Sequence, residues 1–386
     1  MTNSSPAPLS ASSISIQKTD SPKPLVPNSQ LLFGKTFTDH MLAIRWTQEG
    51  GWQTPEIKPY GNLSLDPAAL VLHYGLECFE GMKAYKGKNG EIRLFRPEMN
   101  LKRMNLSAKR LTLPAFDEAE FLKCIEQLLK IEERWIPQEK GYSLYLRPTF
   151  IATQPSLGVT SSNEALLYVI CCPVGPYYPT GFKAVSLYAT REYVRAWPGG
   201  TGNMKLGGNY APGLVAQKLA ADNECQQNLW IFGEEDKITE VGTMNLFVYL
   251  KTKEGGKGLM MLPLTALETV LISPPLDGTI LPGVTRYSIL DLARQWDEFK
   301  VLEREITMHE VCEAVQEGRV IEMFGAGTAC IVSPIKKILY DGKHIDIPLD
   351  PNNSEAQAGP LATRFFETIL DIQGGDVKSE WSHVVQ

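Results

Sequence analysis

The sequence lacks the patterns that mark metal centres and disulfide frameworks. Its 386 residues include seven cysteines and five histidines, and no two cysteines are spaced as C-x-x-C. The cysteines form an odd, scattered set with one adjacent pair, Cys171 and Cys172. Such a set is typical of a protein from a reducing compartment, and it predicts neither a disulfide framework nor a metal site.

Charge of one sign and long apolar runs are also scarce. The formal net charge is −6, and 21% of the residues are charged. There is no basic cluster of the kind that binds phosphodiester backbones, so we expect no nucleic-acid partner. No apolar run approaches the roughly 18–20 residues of a membrane span. The apolar fraction of 43% is that of a soluble globular protein, and the length suggests about two or three domains.

The first thirty residues are rich in serine, proline and alanine and contain no arginine. They have neither the apolar core of a secretory signal nor the arginines and amphipathic helix of a mitochondrial presequence. This composition predicts a disordered tail at residues 1–30 on a cytoplasmic protein, with a mitochondrial location as the alternative.

Beyond the tail the pattern indicates mixed strands and helices. Apolar residues recur at helical spacing in residues 97–111, 121–135, 285–296 and 358–372, and two capping-box patterns occur, Asp117 with Glu120 and Thr307 with Glu310. Strands are predicted at residues 37–46, 143–150, 165–172, 184–189, 228–232 and 238–250. The Pro/Gly-rich stretch 173–182 breaks all periodicity and predicts a loop between a smaller α/β domain, residues 31–172, and a larger domain, residues 183–386.

One lysine, Lys205, lies between glycine pairs in residues 199–210, which read GGTGNMKLGGNY. Glycines let the backbone adopt unusual angles and let a bulky group approach closely. A lysine amine forms a Schiff base with a carbonyl group once its pKa is low enough for attack. The alternative is a flexible surface loop with a solvated lysine. The order of residues excludes a nucleotide P-loop.

This segment resembles the lysine loop of branched-chain amino-acid aminotransferases, which are class IV pyridoxal-phosphate enzymes, and the animal type fits best. The resemblance runs from about Leu32 to the C-terminus. It rests also on residues 33–34 (FG), 37–41 (FTDHM), 72–84 (LHYGLECFEGMKA), 145–148 (YLRP), 155–159 (PSLGV), 238–245 (ITEVGTMN), 281–286 (LPGVTR) and 324–330 (FGAGTAC). All these stretches occur in the order that the family has.

The resemblance implies an α/β (α+β) protein of fold type IV, with two domains and the cofactor between them. The larger domain, residues 183–386, would bind pyridoxal 5'-phosphate. It also implies a homodimer in which residues of the partner chain lie near the pocket.

The resemblance assigns a set of residues to the cofactor. Lys205 would be the catalytic lysine, which binds the cofactor aldehyde and moves the substrate proton. The other cofactor residues implied are Arg103, Val284, Thr285 and Thr328 for the phosphate, Glu240 for the pyridine nitrogen and Tyr210 for the ring oxygen. Without the family, Glu240 could be a surface carboxylate, Arg103 a solvated helix charge and Tyr210 a packing residue.

A second set of residues is implied for the substrate. Aromatic and aliphatic residues would line a dry pocket for the side chain, and other groups would bind the α-carboxylate or lie at the pocket mouth. These residues are Phe33, Tyr74, Phe79, Tyr145, Arg147, Val159, Tyr177, Thr243 and Ala329. Taken one at a time, the aromatic residues could equally be core.

The implied reaction is a ping-pong transfer of the amino group from L-leucine, L-isoleucine or L-valine to 2-oxoglutarate. The products would be branched-chain 2-oxo acids and L-glutamate. Two alternatives remain: another class IV activity, such as D-amino-acid aminotransferase or aminodeoxychorismate lyase, and a protein that kept the fold and binds the cofactor without catalysis.

Two stretches depart from the family. Residues 260–273 look like an insertion, which we expect to be an exposed loop or a splicing product. Animal members often carry a redox C-x-x-C after the Gly-Thr-Ala motif, but here the second position is serine, Cys330-Ile331-Val332-Ser333. We therefore expect no thiol switch within one chain.

Overall fold

The computed structural model describes residues 6–177, 181–253 and 269–386, which fold as two compact units. The first unit comprises Met1–Pro176, Met204–Gly208 and Leu370–Gln386, and the second comprises Tyr177–Asn203 and Asn209–Ile369. The helices are Leu70–Tyr74, Pro97–Arg110, Glu118–Ile131, Gly213–Asp222, Val284–Trp296, Met308–Gln316 and Pro360–Gly374, with short 3-10 turns at Ala11–Ser13, Asn28–Gln30, Glu133–Trp135 and Gly207–Asn209. No helix in these described ranges is long and apolar enough to cross a membrane.

The first unit is built on a mixed sheet that has ten strands within its described residues. Ser143–Ala152 and Glu164–Val174 form its central antiparallel pair, in register from Ser143 opposite Val174 to Ala152 opposite Ala165. The other strands are Ser15–Ile16, His40–Thr47, Gly51–Trp52, Glu56–Pro59, Glu77–Phe79, Met82–Lys86, Ile92–Phe95 and Ser382–Val384. These strands contribute to one apolar core together with helices Pro97–Arg110 and Glu118–Ile131.

The helix boundaries follow from local chemistry. Pro97 opens its helix in the first turn, where a missing N–H costs nothing. The Asp117 side chain accepts a hydrogen bond from the Glu120 amide at 3.0 Å, and Thr307 caps the amide of Glu310 at 3.1 Å. Both predicted capping boxes therefore begin helices.

The N-terminal segment is ordered over residues 6–30, so the prediction of a disordered tail is wrong for them. Leu9 is 3% exposed, and Ser15–Ile16 pairs in parallel with Glu56 and Ile57. Farther along, the Thr19 amide donates to His40 Nε2 at 2.9 Å. Backbone pairing, the buried Leu9 and the partly buried Ala11 and Ile14 hold a segment whose composition alone is typical of disorder.

The second unit has a nine-stranded mixed sheet within its described residues. Its strands are Val185–Thr190, Gln227–Phe232, Lys237–Val241, Met244–Lys251, Thr269–Ser273, Lys300–Glu303, Val320–Gly327, Ile331–Tyr340 and Lys343–Asp346. Helix Met308–Gln316 contributes Met308, Val311 and Ala314 to the apolar core of this unit.

The stretch expected to be an inserted loop, residues 260–273, is only partly described. Residues 260–268 lie outside the described residues. Thr269–Ser273 is a strand that pairs antiparallel with the end of Met244–Lys251 and parallel with Lys300–Glu303, so the loop prediction is wrong there. Its run of β-branched and apolar residues has the composition of a buried strand.

The second unit is also less continuous than the predicted 183–386 domain. The C-terminal strand Ser382–Val384 pairs with Arg93, Leu94 and Phe95 of the first unit's sheet, and Met204–Gly208 belongs to the first unit as well. The first unit continues through Pro176, four residues past the expected end at 172 because Glu164–Val174 extends its strand. Sequence periodicity cannot show that a distant segment returns to an earlier sheet.

Candidate active site

The segment that carries Lys205 lies along the short strand Glu77–Phe79. The Phe79 amide donates to the Lys205 carbonyl at 3.0 Å, and Cys78 and Leu206 form an antiparallel bridge. The Lys205 amide donates to Ser107 Oγ at 2.9 Å. Its ammonium lies 5.0 Å from the centre of the Phe79 ring. The backbone of Lys205 is therefore held by contacts with Phe79 and Ser107.

Arg103 forms a buried ion pair with Glu80 in the first unit. Arg103 Nε lies 2.7 Å from Glu80 Oε1, and a second guanidinium nitrogen lies 2.8 Å from Oε2. Glu80 is fully buried and Arg103 is 6% exposed, so Arg103 is not a solvated helix charge. Asn100 donates a further hydrogen bond to the carboxylate at 2.8 Å.

The electrostatics of this pair involve Lys205. Burial alone would raise the pKa of Glu80, but the Arg103 guanidinium outweighs it and lowers that pKa, with a smaller contribution from the charge of Lys205. The ionised form of Glu80 is thus favoured in the folded protein. Glu80 belongs to the family motif at residues 72–84, but the sequence alone predicts no role for it.

Glu240 is a buried carboxylate in the second unit. It is 2% exposed, so it is not a surface carboxylate. Its Oε1 accepts the Leu281 amide at 2.7 Å, and its Oε2 lies 2.8 Å from Arg195 Nε. Arg195 also donates to the Thr279 carbonyl at 2.7 Å. Arg195 lies outside every motif used above, and no local pattern marked it.

Asn245 fixes the position of the turn that precedes the helix Val284–Trp296. Its Nδ2 donates to the Leu281 carbonyl at 2.8 Å and to Glu240 at 3.3 Å. A Cβ on Gly283 would lie 2.1 Å from Asn245 Oδ1, which explains the glycine. The helix has no side-chain cap at Gly283, so its first amides, near Val284 and Thr285, suit an anion.

Thr328 and Tyr210, predicted for the cofactor, lie on turns of the second unit together with Ala329 and Thr243, which are predicted for the substrate. Thr328 and Ala329 lie in the turn between the antiparallel strands Val320–Gly327 and Ile331–Tyr340. A cavity of about 50 Å³ brings together Tyr210, Thr243 and Arg195 among its lining residues. The family resemblance assigns Tyr210 to the cofactor and Thr243 to the substrate.

Four of the predicted substrate residues come together in the first unit. The Phe33 ring meets Tyr145 edge-on at 4.9 Å, and Arg147 donates to the Tyr145 hydroxyl at 3.0 Å. The Arg147 guanidinium lies 4.7 Å from the centre of the Phe79 ring. A cavity of about 140 Å³ is lined by Phe33, Gly34, Phe37, Tyr145, Arg147, Ile170 and Cys172.

Tyr74, Val159 and Tyr177 are exposed in the structure. Val159 is 82% exposed, Tyr177 is 52% exposed and Tyr74 is 39% exposed. The Tyr74 hydroxyl donates to the Leu157 carbonyl. Their assignment to the pocket stays a prediction.

The donor set of the chain fits pyridoxal phosphate. The cofactor requires an amine for its aldehyde, a carboxylate for its ring nitrogen and cationic or amide donors for its phosphate. Lys205 and the buried Arg103 supply the first and last of these in the first unit. The second unit supplies the buried Glu240 and an uncapped helix start.

Known proteins match most of the chain. The family model described as "Amino-transferase class IV" matches residues 77–338. The cytosolic branched-chain-amino-acid aminotransferase of Mus musculus is 53% identical over 91% of this chain and 87% of its own length. The mitochondrial enzyme of the same organism is 49% identical over 96% and 91%.

A solved structure shares the fold. The branched-chain amino acid aminotransferase of Thermobaculum terrenum, solved in its PLP form, aligns with a TM-score of 0.67 at 18% identity, over 90% of this chain and 98% of that one. At that identity the likeness shows the fold alone, which is the predicted fold type IV. The family model and the two relatives show that the chain belongs to the class IV aminotransferases and, within them, to the branched-chain-amino-acid aminotransferase family.

Proposed function

We propose that the protein transfers the amino group of L-leucine, L-isoleucine or L-valine to 2-oxoglutarate, with pyridoxal 5'-phosphate as cofactor. The observation that carries the proposal is the fixed backbone of Lys205 beside the strand Glu77–Phe79, in a chain about half identical to branched-chain aminotransferases. The transfer is ping-pong: the amino acid leaves as its 2-oxo acid before 2-oxoglutarate enters.

The cofactor supplies an aldehyde that condenses with amines and a ring that withdraws electrons from the substrate carbon. Lys205 binds the cofactor through its amine and, once released, moves a proton at the substrate α-carbon. Arg103, Val284, Thr285 and Thr328 hold the phosphate, and Tyr210 donates to the ring oxygen. The burial of Arg103 and the uncapped helix start support these roles.

Glu240 binds the ring nitrogen in this proposal. Arg195 lies 2.8 Å from its carboxylate and favours the ionised form, since an opposite charge stabilises a charge in a buried site. An ionised carboxylate in turn favours a protonated ring nitrogen. Three donors hold the carboxylate in one orientation, so little reorganisation is needed.

The cavity around Tyr145 supports acceptance of two unlike substrates. Its aromatic walls, which include Phe33, suit an aliphatic side chain. Arg147 Nε is buried and has no hydrogen-bond acceptor within the described residues, which supports a negatively charged group of 2-oxoglutarate at the same end. The Phe79 ring packs against the Arg147 guanidinium, 4.7 Å from it.

The remaining predicted residues have assigned roles in the proposal as well. Tyr74, Thr243 and the Ala329 amide bind the substrate α-carboxylate, while Val159 and Tyr177 contact its side chain. The exposure of Val159 and Tyr177 is compatible with the proposed homodimer, in which a second copy lies near the pocket. We place the enzyme in the cytoplasm, with the mitochondrion as the alternative; the seven cysteines form no disulfide in the structure, which is compatible with either reducing compartment.

Absorbance spectroscopy of the purified protein with pyridoxal phosphate tests the function. We expect the visible band of the bound cofactor to fall when L-leucine is added and to persist with D-alanine. Lys205→Ala should abolish turnover of leucine with 2-oxoglutarate, measured as glutamate formed. Cofactor binding without a response to leucine would reject the substrate class, and a response to D-alanine instead would favour a D-amino-acid aminotransferase.

A further inference from the structure

Glu77 makes a contact that the proposed chemistry does not use. Its carboxylate Oε2 accepts a hydrogen bond from the Gly207 amide at 2.8 Å. Gly207 follows Lys205 by two residues, whereas Glu77 opens the strand Glu77–Phe79. The contact therefore joins the lysine segment to a strand of the first unit through a side chain.

The identity of Gly207 agrees with this contact. A Cβ placed on Gly207 would lie 2.2 Å from Glu77 Oε2, so a side chain there would displace the carboxylate. The backbone of Gly207 is outside the left-handed region, so conformation alone does not require glycine there. Glycine leaves room for the carboxylate to reach the Gly207 amide.

Three further contacts hold the segment at Lys205 and Leu206. The Lys205 amide donates to Ser107, the Lys205 carbonyl accepts from Phe79, and Leu206 bridges Cys78. The Glu77 contact extends this pairing past Leu206. Ser107 thus accepts the amide of Lys205 itself, and Glu77 accepts the amide two residues later.

We propose that Glu77 is a positioning residue for Lys205, which acts by fixing the backbone at Gly207. The inference rests on the proposed role of Lys205. A lysine that binds a cofactor and then moves a proton must return its amine to one place, and a displacement of about 1 Å can cost on the order of a hundredfold in rate. A carboxylate oxygen is a good acceptor for a backbone amide and fixes this point of the backbone.

The surroundings of Glu77 suit a residue that positions the backbone rather than an acid that takes part in the reaction. Burial raises its pKa, and the Gly207 amide and the charge of Arg147 oppose that change. The hydrogen bond to Gly207 occupies the oxygen that faces the lysine segment.

Paired substitutions distinguish loss of the Glu77–Gly207 hydrogen bond from general destabilisation of the protein. Glu77→Gln keeps an oxygen acceptor, Glu77→Leu removes it, and Gly207→Ala displaces the carboxylate. Glu120→Gln and Glu120→Leu are matched controls in the same unit, since Glu120 accepts the Ala11 amide at 2.7 Å and does not contact the lysine segment.

The first readout is hydrogen–deuterium exchange of residues 203–210 in cofactor-free protein. We expect Glu77→Leu and Gly207→Ala to speed exchange there at least tenfold, Glu77→Gln to stay within threefold, and both Glu120 variants to leave it unchanged. In the leucine reaction, kcat should fall about ten- to a hundredfold for Glu77→Leu with KM within threefold.

Unchanged exchange and unchanged kcat in Glu77→Leu would overturn the proposal, and so would equal impairment by Glu77→Gln, which would point to charge alone. If Glu77→Leu does not fold, Gly207→Ala gives the same comparison. Failure of the wild type to use leucine would reject the proposed function, while the exchange experiment would still decide whether Glu77 fixes the backbone at Gly207.

Discussion

Arg195 Nε lies 2.8 Å from Glu240 Oε2, and both side chains are buried in the second unit. Each partner also has a backbone contact, since Arg195 donates to the Thr279 carbonyl and Glu240 accepts the Leu281 amide. A buried pair of this kind is costly to break, because the remaining charge has no water to stabilise it.

Removal of one partner of this pair should destabilise the protein strongly. We expect Arg195→Met to lower the free energy of unfolding by about 3–5 kcal/mol, measured by urea denaturation at pH 7. The double variant Arg195→Met with Glu240→Gln should recover part of this loss, because it buries no unpaired charge. A double variant with the sum of the two single losses would show that the pair is not coupled.

The guanidinium geometry of Arg103 should matter for cofactor binding. Arg103→Lys keeps the charge but loses the planar fork that Glu80 engages at two points. We expect the affinity for pyridoxal phosphate to fall about tenfold, which corresponds to about 1.4 kcal/mol, measured by fluorescence titration. Lys102→Met is the control, since Lys102 is exposed on the same helix; an equal loss in both variants would contradict a specific role for Arg103.

The sequence predicts those structural features whose signal lies in neighbouring residues. The caps at Asp117 and Thr307, the helix after Pro97 and the longer strands of both sheets follow from spacing and composition, and the family motifs predicted fold type IV. The contacts that position the site are different in kind. Glu77 and Gly207 are 130 residues apart. Arg195 contacts Glu240, which lies on a strand of the second unit's sheet, only in the folded chain. The periodicity of apolar residues along the sequence does not predict such a long-range contact.

The serine at position 333 should leave the protein without a thiol switch inside one chain. Cys330 is buried beside Met244, with Sγ 3.3 Å from Sδ, and Ser333 is 2% exposed. Burial also raises the pKa of other thiols, to about 12 for Cys124, which lowers their reactivity.

We expect peroxide treatment to give no disulfide to Cys330, mapped by mass spectrometry. Ser333→Cys restores the C-x-x-C spacing and should gain inactivation that dithiothreitol reverses. A disulfide to Cys330 within one wild-type chain, with activity restored by dithiothreitol, would show that the switch exists.

Asp39 should hold the N-terminal segment on the first unit in a pH-dependent way. Its carboxylate accepts the Lys23 amide at 2.8 Å, the Trp135 indole N–H at 2.9 Å and the Arg134 guanidinium at 2.5 Å. Burial alone would raise the pKa of Asp39, but these donors outweigh it and lower that pKa. The folded state therefore favours the ionised form more than the unfolded chain does.

The sign of the pH effect follows from this lowered pKa. The stability that Asp39 contributes is fully present above its unfolded pKa of about 4 and is lost as pH falls through the lower folded pKa. At pH 7 we expect Asp39→Asn to cost about 1.5–3 kcal/mol, the range for hydrogen bonds to a charged group, and to speed proteolysis within residues 6–30. The difference between wild type and variant in urea denaturation should shrink toward pH 3. Asp20→Asn, at an exposed position of the same segment, should change neither quantity, and a wild-type-to-Asn difference that stays constant from pH 7 to 3 would refute the linkage.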